Sequence, residues 1–478
     1  MNSPILPIES TLNERVHAAL QQWHQPDAAG CALEHFYLVQ NARQNGARDL
    51  RRAANEVLHG ALQQMENSYK QDADILRQRF ADLLPAQVVA NKHNVVEGAL
   101  YKKQRVAIER LSQVLHDMEM SARTSRSAEL AARLEAPTYQ QLFGVTDHLD
   151  RLAERLLAPE PPWIISVEGM GGIGKTALAH ALCRRLIDEG LVGWGNVEEL
   201  GWVTARQTIF NGGGALKNVD RPALTVDALV NGLLGQLLPQ AAGAGRSAEE
   251  RLQQLQQRLK ERPHLIVIDN LETVTDVHSL LATLRQLANP TKFLLTTRHS
   301  LFGELDVFHY GVPELSEKDA LALVRIEAEW RNLPLLAWAS DDDLHPIYET
   351  VGGNPLALRL VVGQTLVHPL HAVLDDLTAA RGQTIENMYT HIYRHAWDNL
   401  DEAARRVLVM MPLVTENGGA LDYLANMSGL EPGDLRHVLE RLVTLNLVDR
   451  RGDLREYRYT IHGLTRAFLQ QQVVRWGA

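Results

Sequence analysis

The 478-residue sequence predicts a multidomain protein of the α/β plus α class, in which a three-layer α/β domain lies between two mostly helical regions. Three observations support this prediction. A glycine-rich stretch at 169–176 stands between an apolar run and a helical pattern. Apolar runs then alternate with helical spacings from 161 to 311, whereas residues 10 to about 120 and those after 312 show mainly helical spacing.

The composition is that of an ordinary globular protein, with 45% hydrophobic and 22% charged residues and a formal net charge of −10. The negative balance argues against general coating by nucleic acid but leaves room for one local basic module. Cys31 and Cys183 are too few and too far apart for a disulfide framework or a CxxC metal site. Since no signal peptide or membrane-length apolar run is present, we expect a cytoplasmic chain with no membrane partner, in which Cys183 is buried.

The stretch Gly169-Met-Gly-Gly-Ile-Gly-Lys175-Thr176 fits the phosphate-binding pattern G-x-x-x-x-G-K-[ST] at every fixed position. A predicted strand at 163–167 precedes it and a predicted helix at 177–187 follows it. The glycines let successive backbone N–H groups surround a polyphosphate, and the helix N-terminus adds partial positive charge. Lys175 is placed to reach the β- and γ-phosphates, and the Thr176 hydroxyl is placed to bind Mg²⁺. The sequence therefore predicts binding of a nucleoside triphosphate.

Two further apolar strands end in polar residues, at the sheet edge where open α/β sheets hold their ligands. The strand at 264–269 ends in Asp269, whose carboxylate is a candidate Mg²⁺ ligand beside Thr176. The strand at 292–297 ends in Thr297 and is followed by Arg298. Arg298 is a candidate reader of the γ-phosphate, with a surface salt bridge as the alternative role. Lys175, Asp269 and Arg298 are thus the predicted catalytic residues.

These motifs and four others resemble the NB-ARC branch of the STAND signalling ATPases, which includes apoptosome proteins and plant resistance proteins. Leu142-Phe143-Gly144-Val145 is similar to the segment that packs on adenine in that family, and Trp202-Val-Thr204 to its second-strand motif. Gly352-Gly-Asn-Pro355 is similar to the signature of its helical domain, whose proline contacts the base. Tyr459-Thr-Ile-His462 is similar to the Met-His-Asp motif of its winged-helix domain, which implies that His462 touches the β-phosphate of ADP and locks a closed state.

The resemblance runs from about Gln141 to the C-terminus and implies ATP or ADP with Mg²⁺ as cofactors. The small, polar stretch at 121–127 separately predicts a linker, which together with the pre-loop segment spans 121–160. The resemblance implies a P-loop nucleotide-binding domain at 161–311, a helical domain at 312–380 and a winged-helix domain at 381–478. The predicted nucleotide-binding residues are Phe143, Gly144, Val145, Gly169, Gly171, Gly172, Ile173, Gly174, Lys175, Thr176, Ala177, Thr297, Arg298, Pro355, Leu356 and His462.

The chain departs from the family pattern in three places. Asn270 stands where a second acidic residue would serve as general base, so we expect a slow ATPase at most. Val145 replaces the arginine that usually follows this glycine. Gly463 replaces the aspartate of the closing motif, which implies a weaker ADP-locked state. Together these departures indicate a switch more than a fast enzyme.

The N-terminal region, residues 1–120, is predicted to be all-helical and to contain a helix-turn-helix at about 76–111. Ala90 stands where close helix crossing needs a small residue, and the stretch resembles the helix-turn-helix of sigma factor region four. The third helix carries five candidate DNA-binding residues, of which the cations would contact phosphates and Gln104 or Arg105 would reach base edges. A helical bundle with a solvated or homotypic basic face is the alternative. The five candidates are Tyr101, Lys102, Lys103, Gln104 and Arg105.

Three functions follow from these readings. The first is an ATP/ADP-dependent switch that forms a homo-oligomer on activation and acts as a DNA-binding transcriptional regulator. The second is an antiviral-defence or cell-death switch whose N-terminal helices bind protein partners, and the third is a DNA-associated ATPase of a mobile element. The sequence contains no repeat array after the closing motif. Either sensing repeats lie outside it, or a separate sensor or effector protein supplies the signal.

Overall fold

The structure is a computed structural model and describes residues 8–25, 31–44, 46, 49–135, 137, 139–192, 197–205, 208–210, 216–218, 225–239, 247–271, 274, 276–366, 368–378, 393, 395–398, 400–415, 418–445, 447–452, 457–461, 465–466 and 468–469. It divides into two compact units, Met1–Ala131 and Ala132–Ala478. Within the described residues no helix is both long and apolar enough to cross a membrane.

The N-terminal unit is all-helical, as the sequence predicts. Helix α3 and helix α5 pack along each other and bury alanine and leucine side chains at helical spacing between them. Asp49 begins α3 by accepting a hydrogen bond from the Arg52 amide at 2.7 Å. The elements are α1 Ile8–Gln21, α2 Tyr37–Gln44, α3 Leu50–Leu76 with a π-helical turn Arg77–Ala81, α4 Ala86–Lys92 and α5 Glu97–Ala131.

The start of the predicted linker at 121–127 is helical, because α5 continues without a break to Ala131. A buried carboxylate anchors this part of the helix. Glu119 accepts the Tyr37 and Leu38 amides at 2.7 and 3.1 Å, which satisfies the N-terminus of α2. Arg123 pairs with the same carboxylate at 2.7 Å, one turn further along α5. Contacts distant in sequence thus override the small polar composition that suggested a linker.

The predicted helix-turn-helix region contains α4, a turn at 93–96 and the first turns of α5. Ala90 is completely buried in a small cluster with Ile75, Val89 and Leu100, which accounts for the small residue at this position. Asn94 has a φ of +53°, a left-handed conformation that asparagine tolerates well in turns. The assignment of this region as a helix-turn-helix, like DNA binding by it, stays a prediction.

The second unit is built on a central sheet of five parallel strands in the order β2-β5-β6-β1-β7. Three of them, β1, β5 and β6, are buried along their full length, as expected for a parallel sheet covered on both faces. These are the three apolar runs that the sequence singles out. The sheet strands are β1 Ile164–Glu168, β2 Glu199–Thr204, β5 His264–Asp269, β6 Lys292–Thr297 and β7 Val307–Gly311; a separate antiparallel pair is formed by β3 Thr208–Phe210 and β4 Leu216–Asn218.

Helices connect and cover these strands. Cys183 on α7 is completely buried, as predicted, and burial raises the pKa of its thiol. Glycine-rich stretches at 211–214 and 241–247 predict loops; of these residues the structure describes only Ser247, which caps α9. The helices from the start of the unit to the last sheet strand are α6 Thr146–Leu157, α7 Lys175–Asp188, α8 Val226–Leu237, α9 Ala248–Glu261 and α10 Val277–Leu287.

After β7 the chain is mostly helical, in agreement with the sequence pattern. Its apolar residues form one continuous core that also includes Met170 of the phosphate-binding loop. The helices are α11 Glu317–Trp330, α12 Pro334–Ala337, α13 Asp341–Val351, α14 Pro355–Gln364, α15 Leu370–Thr378, α16 His395–Asp398, α17 Glu402–Met410, α18 Leu421–Ser428 and α19 Pro432–Thr444.

A small antiparallel sheet lies near the C-terminal end of the unit, in the order β8-β10-β9. Its strands are β8 Gly419–Ala420, β9 Asp449–Gly452 and β10 Tyr457–Thr460. Strands β9 and β10 pair as antiparallel neighbours, and residues 453–456 between them lie outside the described chain. Helices α17, α18 and α19 and these strands follow one another in the chain order α17-β8-α18-α19-β9-β10.

Candidate nucleotide-binding site

The phosphate-binding loop follows the carboxyl end of β1 and runs into α7. Gly169, Gly172 and Gly174 have φ values of +149°, +80° and +100°, conformations that glycine adopts without the strain other residues would suffer. A Cβ atom on Gly172 would lie 2.7 Å from the Cβ of Leu356. The loop therefore requires glycine twice over, for its backbone shape and for its close packing against α14.

Lys175 begins α7, and its side chain is buried within the loop. Its ammonium donates hydrogen bonds to the carbonyl oxygens of Gly169 at 2.7 Å and Met170 at 2.9 Å. A buried cation needs such acceptors, and phosphate oxygens are stronger acceptors than neutral carbonyls. The side chain is thus held where a polyphosphate in the loop would attract it.

Asp269 ends β5 and is completely buried beneath the loop. The Thr176 and Thr296 hydroxyls both donate to its Oδ1 at 2.6 Å, and the Thr204 hydroxyl lies 3.4 Å from its Oδ2. Strand β6, which carries Thr296, lies between β1, which leads into the loop, and β5, which ends in Asp269. This order explains why Thr296 reaches the Asp269 carboxylate. The structure thus brings together the two predicted metal ligands, Thr176 and Asp269.

The chemistry of this pair fits Mg²⁺. Hydroxyl and carboxylate oxygens are hard ligands of the kind Mg²⁺ prefers, and a site with one or two protein oxygens leaves the remaining positions to water and phosphate. Thr176 and Asp269 would hold the ion. When bound, it would neutralise charge on the phosphate oxygens.

Asn270 directly follows Asp269 and adopts a left-handed conformation with a φ of +67°. Its amide donates to the Thr296 hydroxyl at 2.9 Å, so the residue is tied to β6. Asn270 also lines the cavity described below, where its side chain is a carboxamide and not a carboxylate. A carboxamide is not a general base, so the prediction of slow hydrolysis is consistent with this geometry.

Glu168, at the end of β1, fixes the segment that carries Arg298. Its buried carboxylate accepts hydrogen bonds from the Ser300 hydroxyl at 2.6 Å and the Leu301 amide at 2.9 Å. The Nδ1 atom of His309 on β7 lies 2.9 Å from the same carboxylate. The segment after β6 is therefore anchored next to the phosphate-binding loop, a tie that the sequence analysis did not identify.

A cavity of about 720 Å³ opens beside the loop, within the second unit. One part of its wall comes from the pre-loop segment that the sequence predicts to pack on adenine, and another part comes from residues after β7. The structure brings most of the predicted set to this wall: Phe143, Gly144, Val145, Gly172, Ile173, Gly174, Lys175, Thr176, Ala177, Arg298, Pro355 and Leu356.

Thr297 does not line this cavity, in contrast to the prediction. Its hydroxyl accepts the His299 amide at 3.0 Å, whereas the hydroxyl of its neighbour Thr296 donates to Asp269. Successive side chains of a strand point to opposite faces, so only one of the two threonines can reach the carboxylate. Contact of Thr297 with a nucleotide stays a prediction, and Thr296 is the threonine of this strand end that binds Asp269.

Two arginines that the sequence analysis missed also line the cavity. Arg359 on α14 donates to the carboxylate of Glu327, and the Nε atom of Arg331 lies 3.6 Å from the same carboxylate. Glu327 is itself buried on α11. One buried acid thus holds two guanidinium groups at the wall. Position 359 lies one helical turn after Pro355, which is the signal that could have revealed it.

Residues late in the chain contact the phosphate-binding loop through Met170. The buried hydroxyl of Tyr393 lies 3.3 Å from the Met170 sulfur and 3.1 Å from the Thr465 hydroxyl. The ring of Tyr393 stacks on Phe468 with 4.4 Å between ring centroids. His462, predicted to touch the β-phosphate, lies outside the described residues.

The five candidate DNA-binding residues lie at the start of α5, in the N-terminal unit. Tyr101, Lys102 and Arg105 are exposed, and Lys103 is half-buried with its ammonium 3.4 Å from Gln71. Gln104 is buried and its side-chain oxygen lies 3.4 Å from Arg79 Nε, so it is turned into the unit and away from any surface ligand. The structure therefore exposes three of the five side chains, and their contact with DNA stays a prediction.

The fold and the site define a P-loop ATPase domain. The family model for the AAA ATPase domain matches residues 141–296, which include the phosphate-binding loop and Asp269. The chain is 23% identical over 355 residues to TMV resistance protein N of Nicotiana glutinosa, covering 73% of this chain and 27% of that protein. It is 24% identical over 314 residues to disease resistance-like protein DSC1 of Arabidopsis thaliana, covering 61% and 24%. The chain thus spans about a quarter of the length of these curated relatives.

Two of the solved structures that this chain is similar to come from archaea. A Walker-type ATPase of Pyrococcus abyssi aligns over 70% of this chain and 99% of its own, with a TM-score of 0.48 and 15% identity. A signal transduction ATPase with numerous domains and a tetratricopeptide repeat sensor, from Pyrococcus horikoshii, aligns over 70% of this chain and 43% of its own, with a TM-score of 0.32 and 15% identity.

Proposed function

We propose that this chain is a nucleotide-dependent signalling switch of the STAND type with an NB-ARC-like core. The observation that carries the proposal is the composition of the cavity wall, which joins the pre-loop segment, the phosphate-binding loop and the helices after β7. A single ATP or ADP in this cavity would contact all three. Its phosphates would therefore influence whether the helices stay against the loop.

The chemistry of the site favours switching over rapid turnover. Asp269 and Thr176 supply the ligands for Mg²⁺, and Lys175 supplies a cation for the phosphates. Asn270 supplies no general base at the position next to Asp269. Slow hydrolysis lets each nucleotide state persist long enough to be read by a partner. The difference in affinity of ADP and ATP for the closed form would then set the population of the open form.

We assign the C-terminal part, residues 381–478, as a winged helix that closes on the nucleotide. The chain order of α17, β8, α18, α19, β9 and β10, with an antiparallel three-stranded sheet, supports this assignment. The contacts of Tyr393 and Thr465 with Met170 support closure on the loop. We further propose that His462, three residues before Thr465, reads the β-phosphate of ADP.

The size of the full chain in solution tests the switch. With ADP we expect a monomer, and with a non-hydrolysable ATP analogue we expect a larger assembly by light scattering. The Lys175→Ala variant should show no difference between the two nucleotides. A monomer of unchanged size in all these conditions would refute a switch that acts by oligomerisation.

For the output we propose DNA binding by the N-terminal unit. The observation that favours it is the exposure of Tyr101, Lys102 and Arg105 on the first turns of α5, directly after the turn that follows α4. Binding of the full chain to duplex DNA should weaken steeply as salt rises, because cations on the protein displace counterions from phosphates. Absence of salt-dependent binding at low ionic strength would favour a protein partner for this face, where Val96 is 75% exposed.

A further inference from the structure

We infer that Asn354 is a positioning residue for the phosphate-binding loop, through a double hydrogen-bonding role that couples helix α14 to the loop. This inference rests on the proposed nucleotide binding and names a residue that acts on the bound phosphates through the backbone. Asn354 is completely buried, lies directly before Pro355 and does not itself line the cavity.

The first role of Asn354 is to cap α14. Its Oδ1 atom accepts the amides of Leu356 at 3.1 Å and Ala357 at 3.2 Å, two N–H groups at the helix start that have no partner within the helix. This is the usual behaviour of asparagine at an N-cap. The role explains a buried polar oxygen but not the amide nitrogen on the same side chain.

The second role uses that nitrogen. Nδ2 of Asn354 donates to the carbonyl oxygen of Gly171 at 3.0 Å, across 183 residues of sequence. The Leu356 amide lies 3.3 Å from the carbonyl oxygen of the next loop residue, Gly172. Two successive carbonyl groups of the loop are therefore bound by the first residues of one helix.

These two bonds set the direction of the loop amides. The C=O and N–H groups of a planar trans peptide point in opposite directions. Holding the Gly171 and Gly172 carbonyls toward α14 turns the amides of Gly172 and Ile173 toward the other side of the loop. Both residues line the cavity, and the Ile173 amide makes only a 3.4 Å contact with the Met170 oxygen. Those amides are suited to donate hydrogen bonds to phosphate oxygens.

The packing leaves little alternative to this arrangement. A Cβ atom on Gly172 would lie 3.0 Å from Asn354 Oδ1, so the glycine is what allows the helix start to approach the loop. A side-chain amide combines an acceptor for the helix with a donor for the loop on two separate atoms. Aspartate and serine cap helices about as well. However, aspartate lacks the donor when ionised, and serine is one atom shorter.

The capping and positioning roles separate in the variants Asn354→Asp and Asn354→Ser. Both keep a helix cap and lose the amide donor to Gly171. The matched control is Ser340→Ala, which removes the cap of the neighbouring helix α13, where the Ser340 hydroxyl accepts the Asp343 amide at 3.2 Å. Among the residues that the structure describes, the Ser340 side chain hydrogen-bonds to Asp343 and not to the phosphate-binding loop. The probe is a fluorescent ADP analogue, titrated into the full chain, with thermal unfolding of each nucleotide-free variant measured in parallel.

We expect both Asn354 variants to bind the ADP analogue about tenfold more weakly, the size of one well-placed hydrogen bond. Serine avoids a buried negative charge, so Asn354→Ser should unfold within a few degrees of the wild-type chain. Ser340→Ala should lower the unfolding temperature at least as much and change affinity less than twofold. Wild-type affinity in Asn354→Ser would overturn the inference, as would a loss of affinity that merely follows the loss of stability seen in Ser340→Ala. A wild-type chain that binds no nucleotide would instead refute the proposed function.

Discussion

The two units of this chain differ in where the cations predicted to bind a ligand lie. In the unit from Ala132 to Ala478, Lys175, Asp269 and Asn354 are buried and each is bound by named neighbours. In the N-terminal unit the candidate functional cations, Lys102 and Arg105, lie at the surface. Burial of polar groups costs free energy unless every one is paired, whereas a surface cation costs almost nothing. A buried polar network therefore indicates function more strongly than a surface charge does.

The largest expected effect comes from Lys175→Ala, which removes the buried cation of the loop. Loss of charge-assisted hydrogen bonds to phosphate should weaken nucleotide binding at least about 100-fold, or roughly 3 kcal/mol. The triple variant Lys102→Ala, Lys103→Ala and Arg105→Ala is the control, and titration calorimetry of both proteins measures the difference. Similar nucleotide affinity for the two variants would contradict the assignment of nucleotide binding to Lys175 in the second unit.

Glycine substitutions compare the two units through the free energy of unfolding. Gly172→Ala combines a positive φ with a Cβ 2.7 Å from Leu356, so we expect a loss of about 2–4 kcal/mol in the free energy of unfolding. Gly174→Ala shares the positive φ but has open space around its Cβ, so about 1–2 kcal/mol is expected. Gly98→Ala, in the first turn of α5, should raise stability by up to about 1 kcal/mol. Denaturant unfolding measures the change in the free energy of unfolding for all three variants. Equal losses of stability for Gly172→Ala and Gly174→Ala would argue against the close contact between Gly172 and α14.

The surface cations of the N-terminal unit should act through salt dependence. In the triple variant we expect the slope of log binding constant against log salt concentration to fall by about 2–3, about one for each phosphate contact removed. Fluorescence anisotropy with a labelled duplex measures this slope. An unchanged slope would show that these side chains are a solvated face and that any DNA contact lies elsewhere.

The smallest expected effect concerns pH and His264, which is buried at the start of β5. Burial lowers the pKa of His264, whose Nδ1 lies 2.7 Å from the Arg262 carbonyl oxygen while its Nε2 has no hydrogen-bond partner among the described residues. The unfolded chain then binds more protons than the folded chain as pH falls through about 6.5, so stability falls with acidification.

The variant His264→Asn keeps a donor for the Arg262 carbonyl and removes the titration. Its unfolding temperature should fall less between pH 7.5 and pH 5.5 than that of the wild-type chain. Parallel declines for the two proteins would contradict this assignment and leave other groups responsible for the acid sensitivity.

Much of the fold and part of the site follow from the sequence. Local patterns predicted the bounds of β5 and β6, the position of the phosphate-binding loop and the placement of Asp269 near Thr176, because buried parallel strands and their carboxyl ends have strong signatures. The pre-loop segment at 142–145 reached the cavity wall as the family resemblance implied.

The remaining features depend on contacts between residues distant in sequence. Asn354 and Gly171 are 183 residues apart, and Tyr393 and Met170 are 223 apart, so no local pattern links them. Glu119 on α5 and the Tyr37 amide that it binds are 82 residues apart, so this contact is equally invisible to local patterns. At Gln104 a polar residue on a helix was expected at the surface, and packing against Arg79 placed it inside. Local propensity cannot decide such cases, because tertiary packing overrides it.

The central claim is that the bound nucleotide controls how firmly α14 is held against the phosphate-binding loop. Hydrogen–deuterium exchange of the amides in Pro355–Gln364 tests it most directly, in the full chain with ADP and with a non-hydrolysable ATP analogue, each at saturation. We predict slower exchange in this helix with ADP than with the analogue, and no such difference in α3, Leu50–Leu76. Equal exchange of α14 with both nucleotides would contradict the claim.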